Sequence, residues 1–539
     1  MEKIWLNEYD VGVERIIKEV PSLADLIENT AKNYPDLPAL KGENGVINYK
    51  EFNRITSVIA GNLRLFGLHR QEKICLFLPN CNETVLAFWS VVRGATVGVM
   101  TNPLYSEKEL LTQIIDSDSK MLITNDLLIG KVMGIIDKTK LEKVFVVKTE
   151  NNTEIDFSDE RVLPWEELLM QNRGYTAKQI DSENDLALLQ YTGGTTGISK
   201  GCMLTHKNLS ANAEQCKQIF GVVLKTGKEK FVGVLPFFHI YGLQMSVILP
   251  VLLASEIIPV LRFTPRGLLS AIQAEKITTM ASAPSIFGAC LSQKDIDSYD
   301  LSSLKLIISG SAPLPVSQME TFEKKTGARI SEGYGLSETS PVTHFSPALG
   351  KVRRPGSIGV PIPSTETKIV DVEYGVKELG VGEHGELCVR GPQVMKGYYK
   401  QPGQTEMVLR DGWLYTGDIA CYDKDGFFYI TDRKKDLIIS GGYNIYPREV
   451  EEVLFAHPKI KEAVVIGIKD QIRGEAVKAF VVLNEGETLD KTELVTYCRK
   501  NLANYKLPRE VEFRDSLPKS AVGKILRREL REEAGQIKA

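Results

Sequence analysis

The sequence predicts an α/β protein with a large N-terminal domain, built from two doubly wound sheets plus a small β-barrel, and a smaller C-terminal α+β domain. Up to about residue 345, short apolar runs alternate with helical patterns, which is typical of parallel sheets covered by helices on both faces. From 356 to about 429, short strands separated by glycines indicate an antiparallel barrel or sheet. With 539 residues, 43% of them hydrophobic, the chain can form two or more domains.

The first sheet is predicted from residues 21–190 and the second from 191–345. In the first, Lys73–Leu78 and Lys143–Val147 predict buried strands, and 83–94 predicts a helix between such strands. The corresponding strands of the second sheet are predicted at 231–235, 278–282 and 304–309.

The charged segment Asp432–Asp436 marks the predicted boundary between the two domains. Beyond it, Pro447 begins a helix with one apolar face, and Asp490 followed by Glu493 resembles a helix N-cap pair. The predicted limits are 1–432 for the large domain, 433–436 for the connecting segment and 437–539 for the small domain.

The balance of charge disfavours a nucleic-acid partner, since 66 basic and 69 acidic residues leave a net charge of −3. The N-terminus is acidic where a signal peptide would be basic. The most apolar stretch, Leu243–Ala254, is far shorter than the ~20 residues that span a bilayer, so we interpret it as a buried helix or a pocket wall. Eight cysteines without CxxC spacing and six scattered histidines indicate reduced thiols and no zinc site. These features predict a cytoplasmic protein, and they leave peripheral membrane contact and a homodimer open.

The most informative stretch is Tyr191–Gly201, which combines glycines and hydroxyls with a lysine directly after a predicted buried strand. Glycines let backbone N–H groups converge on a large anion, hydroxyls add donors, and Lys200 adds a charge. This composition predicts a loop that binds a polyphosphate. It is not a Walker loop, because Lys200 is followed by Gly201 and no Gly-Lys pair in the chain precedes Ser or Thr.

Two short motifs formally match those of other classes of protein. Gly197–Gly201 matches GxSxG, whose Ser199 would be the nucleophile of a serine hydrolase. That elbow needs a direct strand-to-helix turn, and here five Gly and Thr residues intervene after the strand. The GxGxxG of residues 380–385 leads into a strand rather than a helix, so we interpret it as a tight turn. A non-catalytic nucleotide-binding protein is an alternative that the loop alone leaves open.

Three further segments carry polar residues suited to a nucleotide. In Glu332–Thr339, Tyr334 is a candidate stack for the nucleobase. Glu338 is a candidate Mg²⁺ ligand, since Mg²⁺ bound with phosphates favours one or two carboxylates. Tyr415–Asp418 ends in a carboxylate suited to a ribose diol, and Lys524 lies in a glycine-containing loop.

In their order along the chain, these segments resemble the adenylate-forming superfamily, which includes acyl-CoA synthetases, luciferases and peptide-synthetase adenylation domains. Gly385–Met395 and Leu517–Arg531 make the chain most similar to bacterial long-chain fatty-acid–CoA ligases. Ser337 departs from the family, where threonine is commoner, but it keeps a hydroxyl. The ordered motifs are Tyr191–Gly201, Pro236–His239, Gly310–Ala312, Tyr334–Thr339, Tyr415–Asp418, Asp432–Asp436, Ser440–Asn444 and Gly523–Lys524.

The resemblance implies an enzyme with two half-reactions. A fatty-acid carboxylate attacks the α-phosphate of Mg-ATP to give acyl-AMP and pyrophosphate, and the thiol of CoA then attacks the mixed anhydride. Fatty acid, ATP and CoA are the implied substrates and Mg²⁺ the implied cofactor. The implied nucleotide ligands are Thr192, Gly193, Gly194, Thr195, Thr196, Gly197 and Lys200 for the β- and γ-phosphates, Glu338 for Mg²⁺, Thr339 for the α-phosphate, and Gly310, Ser311, Ala312 and Tyr334 for adenine.

The resemblance also implies that the small C-terminal domain is mobile. Lys435 is the implied hinge, about which this domain rotates between the half-reactions. Lys524 is implied to bridge the substrate carboxylate and the α-phosphate during adenylation. The other implied contacts are Asp418 and Arg433 with the ribose hydroxyls, His239 at the mouth of the acyl site, and Gly441 and Gly442 beside the pantetheine passage.

The identity of the acid is left open by a linear sequence. We expect residues 237–245 and 309–336 to line the acyl pocket, but their spacing does not give its depth. An aryl- or medium-chain acyl-CoA ligase therefore stays an alternative. So does a fatty acyl-AMP ligase that stops before CoA, although the glycines at 441–442 favour thioester formation.

Overall fold

Two units make up the structure, which is a computed structural model of the chain. The larger unit comprises Trp5–Glu366 and Arg390–Leu414, and the smaller comprises Thr367–Val389 and the chain from Tyr415 onward, together with Ile4. The predicted limits of 1–432, 433–436 and 437–539 depend on a movement about a hinge. A division of one structure into two units does not test such a movement, so these limits stay a prediction. The structure describes residues 4–18, 20–42, 45–149, 154–172, 174–192, 199–312, 314–350, 354–440, 443–471, 473–519 and 525–535.

A nine-stranded sheet forms one layer of the larger unit. Its six central strands are parallel, as expected for strands buried between helices, and antiparallel strands extend both edges. Pro38–Gly42 joins this sheet through a parallel pairing of Leu40 with Ile257, so an early segment of the chain belongs to the second sheet rather than the first. In spatial order the strands are Val360–Pro361, Val342–Phe345, Arg329–Gly335, Leu306–Ser309, Thr279–Ser282, Lys230–Gly233, Glu256–Pro259, Pro38–Gly42 and Gly45–Asn48.

A seven-stranded sheet forms the second layer of the larger unit. The strands predicted from the apolar runs are present at Lys73–Leu76 and Lys143–Val147, and the helix predicted between such strands spans Asn82–Arg93. Six strands are parallel, and Lys200–Thr205 folds back antiparallel onto Leu186–Thr192. In spatial order the strands are Val162–Pro164, Lys143–Val147, Ser119–Asn125, Lys73–Leu76, Val97–Met100, Leu186–Thr192 and Lys200–Thr205.

Helices cover these sheets with apolar faces, and two large hydrophobic cores result. One core includes Phe88 and Trp89, and the other includes Phe287 and Phe322, all fully buried. Burial of such side chains stabilises the fold by about 1.5–3 kcal/mol each. The α-helices of the larger unit are Leu23–Asn33, Tyr49–Leu65, Asn82–Arg93, Glu107–Ser117, Ile129–Met133, His206–Phe220, Ile240–Leu243, Leu249–Leu252, Pro265–Glu275, Pro284–Leu291, Val316–Thr326 and Pro402–Val408. Short 3₁₀ turns are at Ile4–Asn7, Ile136–Lys138, Trp165–Leu169, Ile296–Ser298 and Ser337–Thr339.

The most apolar stretch of the sequence is a buried helix, as predicted. It runs as α-helix over Ile240–Leu243 and Leu249–Leu252, with a π-helical turn at Gln244–Ile248 between them. Of its residues, only Leu252 is even partly exposed. In the part of the chain that the structure describes, no helix is both long enough and apolar enough to cross a bilayer.

After residue 356 most neighbouring strands pair antiparallel, which agrees with the texture of that part of the sequence. One five-stranded sheet has the order Glu366–Val370, Gly385–Arg390, Trp413–Tyr422 and Leu409–Arg410, with Phe428–Arg433 also paired to Trp413–Tyr422. A second sheet has the order Tyr443–Ile445, Ile438–Ser440, Gly474–Leu483 and Ile460–Asp470, with Glu510–Phe513 parallel to Gly474–Leu483. The α-helices of the smaller unit are Pro447–Phe455, Lys491–Asn501 and Arg527–Glu533, and a 3₁₀ turn is at Asn504–Lys506.

Two local predictions for the smaller unit are confirmed. The helix at Pro447 buries Val450 and Leu454 completely, so its apolar face lies against the core of this unit. Asp490 caps the helix Lys491–Asn501, since its carboxylate accepts a hydrogen bond of 2.8 Å from the backbone N–H of Glu493.

Candidate active site

The predicted phosphate loop joins two antiparallel strands of the larger unit. Thr192 ends one strand and Lys200 begins the next, and the two residues are register partners. The expected phosphate ligands Gly193, Gly194, Thr195, Thr196 and Gly197 lie outside the described residues. The loop therefore starts and ends at one point of the sheet, where Thr192 and Lys200 are held side by side.

Ser199 is the test of the serine hydrolase alternative. Its hydroxyl donates a hydrogen bond to the carbonyl oxygen of Thr192, across the base of the hairpin. The chain continues from Lys200 as a strand, whereas a nucleophile elbow leads directly into a helix. The geometry at Ser199 is thus that of a hairpin, and the hydrolase alternative is wrong.

Lys200 has two neighbours from a distant part of the larger unit. Its Nζ donates to Oε1 of Gln404 at 2.5 Å and lies 5.0 Å from the centre of the Tyr398 ring. The second distance is typical of a cation–π contact. These two contacts hold the ammonium group of Lys200 between Gln404 and the ring of Tyr398.

The same Tyr398 also contacts Glu338, the candidate Mg²⁺ ligand. The Tyr398 hydroxyl donates to Oε1 of Glu338 at 2.7 Å, and Oε2 of Glu338 has no hydrogen-bond partner among the described residues. Burial, with the nearby Glu338 carboxylate, raises the pKa of Tyr398 well above its usual range, so its phenol stays protonated. A single carboxylate held this way is a suitable ligand for Mg²⁺ bound with phosphates, and the residues present fit that ion.

Glu338 and Thr339 lie together in a 3₁₀ turn that follows the strand Arg329–Gly335. The Thr339 hydroxyl is fully buried and bonds to the backbone of its own loop, at the carbonyl oxygens of Leu336 and Pro341. Within the strand, the Tyr334 ring meets the ring of His344 edge-on, with centroids 6.0 Å apart. The two predicted nucleotide contacts, Tyr334 and Thr339, are therefore set by one strand and the turn after it.

The expected adenine segment follows the strand Leu306–Ser309. Ser311 has a positive φ of 71°, and both Ser311 and Ala312 are exposed. A β-carbon added at Gly310 would lie 3.1 Å from Cζ of Tyr241, so a side chain there would press on the tyrosine ring. Segments 237–245 and 309–336, which we expected to share a pocket, do meet at this contact.

His239 stands at the N-terminus of the apolar helix. It is partly buried, and its Nδ1 accepts a hydrogen bond of 3.3 Å from the backbone N–H of Tyr241. Tyr241 in turn donates through its hydroxyl to the carbonyl oxygen of Ile308 at 2.9 Å. His239 is thus positioned by the start of the apolar helix, which the sequence analysis interpreted as a buried helix or a pocket wall.

The predicted ribose ligands lie side by side in the smaller unit. Asp418 and Arg433 are register partners on neighbouring strands, and Nε of Arg433 lies 3.0 Å from Oδ1 of Asp418. Lys435 follows in a turn between two strands and is itself exposed, which is compatible with a hinge. Gly441, Gly442 and Lys524 lie outside the described residues.

Tyr398 and Gln404 were missed by the sequence analysis, although they contact two of the predicted site residues. They belong to Lys396–Gln404, which directly follows the family-like stretch Gly385–Met395. The two tyrosines after Gly397 are the only sequence signal for this segment, and they do not indicate which residues they contact. Among the described residues, no group of three or more His, Cys, Asp or Glu side chains could hold a metal ion by itself.

Comparisons with known proteins identify the family of this chain. The chain matches the family described as AMP-binding enzyme over residues 27–399 and the AMP-binding enzyme C-terminal domain over residues 449–524. It is 43% identical to a long-chain-fatty-acid–CoA ligase of Bacillus subtilis (strain 168), covering 99% of this chain and 98% of that protein. A long-chain-fatty-acid–CoA ligase of Salmonella typhimurium (strain LT2) is 38% identical, covering 99% of each chain.

The fold agrees equally well with a solved structure. ATP-bound MatB from Rhodopseudomonas palustris has a TM-score of 0.85 to this chain at 28% identity, covering 95% of this chain and 98% of that one. The ordered motifs, the fold and the full-length similarity to these relatives all lead to one assignment. The chain belongs to the AMP-binding enzyme family, as an acyl-CoA synthetase of the adenylate-forming superfamily.

Proposed function

We propose that this protein is a long-chain fatty-acid–CoA ligase. It activates the acid with ATP to acyl-AMP and pyrophosphate, and then transfers the acyl group to CoA with release of AMP. The observation that carries the proposal is the 43% identity to the Bacillus subtilis ligase over nearly the whole of both chains. The arrangement of Thr192, Lys200 and Glu338 supports it, because these groups suit a bound triphosphate.

The first half-reaction needs alignment and charge rather than a protein nucleophile. An oxygen of the fatty-acid carboxylate forms a bond to the α-phosphorus, and the bond from that phosphorus to the bridging oxygen of pyrophosphate breaks. We propose that Thr192, Lys200 and the loop between them hold the leaving phosphates. Glu338 would hold Mg²⁺, which, when bound, offsets phosphate charge. Lys524 would neutralise charge where carboxylate and α-phosphate meet.

The second half-reaction exchanges an anhydride for a thioester. The CoA thiol loses its proton to solvent, its sulfur forms a bond to the acyl carbon, and AMP leaves with the electron pair of the broken C–O bond. We propose that the segment around Lys435 is the hinge between the half-reactions, and that Gly441 and Gly442 leave room for the thiol arm. Lys435 itself is exposed in the turn at 434–436, which supports a hinge there.

The acyl chain is proposed to lie against the buried apolar helix that spans residues 240–252. Tyr241 on this helix meets Gly310, so the helix reaches the segment proposed for adenine. An acyl group attached to AMP must extend from just such a place. Each methylene that enters an apolar pocket contributes up to about 0.8 kcal/mol, so a long pocket should favour long acids several-fold per carbon.

A panel of acids in a pyrophosphate-release assay, run with and without CoA, tests the proposal. We expect kcat/KM to rise with saturated chain length and to peak among long-chain acids, with sustained turnover only when CoA is present. A sharp maximum at benzoate, coumarate or butyrate, with palmitate inactive, would instead support the aryl or shorter-chain alternatives. Stoichiometric acyl-AMP without thioester would support a fatty acyl-AMP ligase.

A further inference from the structure

One segment of the larger unit crosses the candidate site and touches both of its charged sides. Met395 donates its backbone N–H to the carbonyl oxygen of Glu338 at 2.9 Å, which ties the segment to the 3₁₀ turn. Tyr399 donates its backbone N–H to Gly201 at 2.8 Å, and Met203 donates to Gly397 at 2.9 Å, which ties it to the strand after the phosphate loop. The segment Met395–Tyr399 is called the crossing segment below.

The crossing segment and the residues just before it make further hydrogen bonds within the larger unit. The backbone N–H of Tyr398 donates to Oγ1 of Thr405 at 2.9 Å, and the side-chain amide of Asn208 donates to the carbonyl oxygens of Pro392 and Val394 at 2.7 and 2.9 Å. Asn208 belongs to the capping box with Thr205 at the start of the helix His206–Phe220. The crossing segment is therefore anchored to a helix, a strand and a turn.

Tyr398 is the side chain that this anchoring places between the two charges. Only 7% of its surface is exposed. Its hydroxyl donates to Glu338 at 2.7 Å, while its ring lies under the Lys200 ammonium, 5.0 Å from the ring centre. A phenol is suited to both contacts, because its hydroxyl donates to a carboxylate and its ring face attracts a cation.

We infer that Tyr398 is a positioning residue for nucleotide activation, which fixes the Glu338 carboxylate for Mg²⁺ and the Lys200 ammonium for phosphate. The inference rests on the proposed function. The hydroxyl of Tyr398 donates to Oε1 of Glu338, whereas Oε2 accepts no hydrogen bond from a described residue, so we assign Oε2 to the metal ion. A neutral donor does this without cancelling the charge that a cation needs.

Substitution of the two adjacent tyrosines separates this role from a general structural one. Tyr398→Phe removes the hydroxyl from Glu338 and keeps the ring beside Lys200. Tyr399→Phe is a matched control, because Tyr399 also donates one hydroxyl to a carboxylate, Asp118, at 2.8 Å. Glu338→Gln is the reference for a lost Mg²⁺ ligand.

The measurement is calorimetric titration of each full-length variant with ATP, in MgCl₂ and in EDTA, without fatty acid, together with thermal unfolding. We expect Tyr398→Phe to lose about tenfold of the Mg²⁺-dependent gain in ATP affinity, the size expected for a hydrogen bond to a charged group. Its affinity in EDTA and its melting temperature should match those of the Tyr399→Phe variant.

The possible results are distinct. If Tyr398→Phe keeps the full Mg²⁺-dependent gain while Glu338→Gln loses it, the positioning role is wrong and the proposed function stands. If ATP binding to the wild type is the same in MgCl₂ and EDTA, the proposed role of Glu338 fails, and the role of Tyr398 fails with it. An equal loss in both tyrosine variants would indicate a merely structural effect and would also overturn the inference.

Discussion

The acidic side chains of two regions differ in what they contact, a neutral hydroxyl in one region and arginines in the other. In the larger unit, Glu338 is held by a neutral phenol, and among the described residues no arginine or lysine pairs with it. In the smaller unit, the buried carboxylates Asp436 and Glu451 contact arginines from the final helix. Nη2 of Arg527 lies 2.6 Å from Oε1 of Glu451, and Nη2 of Arg531 lies 2.7 Å from Oδ1 of Asp436.

The difference fits the proposed role of Glu338 as a Mg²⁺ ligand and a structural role of Asp436 and Glu451. A buried carboxylate paired with an arginine has its charge compensated already, so it attracts a metal ion weakly. Burial opposes ionisation of Asp436, but Arg531 and Arg527 outweigh it and lower its pKa. Glu338 has no such compensation, which suits a group whose cation arrives with the substrate. Substitutions in the two regions should therefore affect different properties, stability in one and activity in the other.

Arg527→Met should have the largest effect, on the stability of the smaller unit. The guanidinium contacts both oxygens of Glu451, and its Nη1 lies 3.3 Å from Asp436 and 3.8 Å from Asp432. Its loss leaves the buried Glu451 without its arginine partner, and removing one partner of a buried ion pair costs about 3–5 kcal/mol. Urea denaturation followed by a signal from the smaller unit measures this loss.

The neighbouring residue gives a matched control for that prediction. Arg528 also pairs with one carboxylate, Glu532 at 2.5 Å, but both side chains are about half exposed. An exposed pair of this spacing contributes about 0.3–0.5 kcal/mol, so Arg528→Met should change the midpoint little. Equal destabilisation by both substitutions would contradict the distinction between the two regions.

The ion pairs that Arg527 and Arg531 make with Asp432, Asp436 and Glu451 form an ionic cluster that the sequence did not predict. Both sets of charges are present in the sequence, in the charged segment Asp432–Asp436 and in the arginines Arg527 and Arg531 near the end of the chain. The segments are nearly a hundred residues apart, and nothing in a linear pattern says that charges so distant will pair. Tyr398 was missed for the same reason, because its contact with Glu338 spans 60 residues.

Local patterns, in contrast, predicted the fold well. Apolar runs gave the strands Lys73–Leu76 and Lys143–Val147, because burial on both faces leaves a continuous hydrophobic signal. The GxGxxG at 380–385 is followed by the strand Gly385–Arg390, so the interpretation as a turn before a strand is confirmed. Ordered motifs also located Asp418 and Arg433, which are paired. The roles assigned to Lys524, Gly441 and Gly442 stay predictions, since these residues lie outside the described part of the chain.

Glu338→Gln should have the next largest effect, and on activity alone. Glutamine still offers an oxygen to the Tyr398 hydroxyl, so no buried group loses its partner and the unfolding midpoint should stay near that of the wild type. The lost charge should lower acyl-AMP formation by about 10²–10³, as for removal of one electrostatic stabiliser. Pyrophosphate release and urea denaturation on the same preparation check both statements. Destabilisation by several kcal/mol would mean that Glu338 serves the fold, as Glu451 does.

Asp432→Asn should reveal a pH dependence that belongs to the ionic cluster. Burial, only partly offset by Arg527, raises the pKa of Asp432 from its usual 3.8 to about 6. Between these values the folded protein holds a proton that the unfolded chain has released. The stability from this group is therefore full below pH 3.8 and is lost as the pH rises through 6.

The variant removes this titration, so the difference between the two proteins isolates it. We expect the wild type to lose about 1–3 kcal/mol relative to Asp432→Asn between pH 4.5 and pH 7.5. Urea denaturation at several pH values measures the difference. A constant difference across that range would contradict the raised pKa of Asp432.

Ser199→Ala should have the smallest effect, because it removes only a hydrogen bond between two neutral groups and leaves the charges of Lys200 and Glu338 in place. The Ser199 hydroxyl donates to the carbonyl oxygen of Thr192 across the base of the phosphate hairpin. Such a bond contributes about 0.5–1.5 kcal/mol, so KM for ATP should rise by at most about tenfold while kcat changes little. A serine-directed phosphonate should leave the intact mass of the wild type unchanged, because we assign the Ser199 hydroxyl to a hydrogen bond within the hairpin and not to a nucleophile. Stoichiometric labelling at Ser199, with activity abolished in the alanine variant, would restore the hydrolase alternative that the strand after Lys200 argues against.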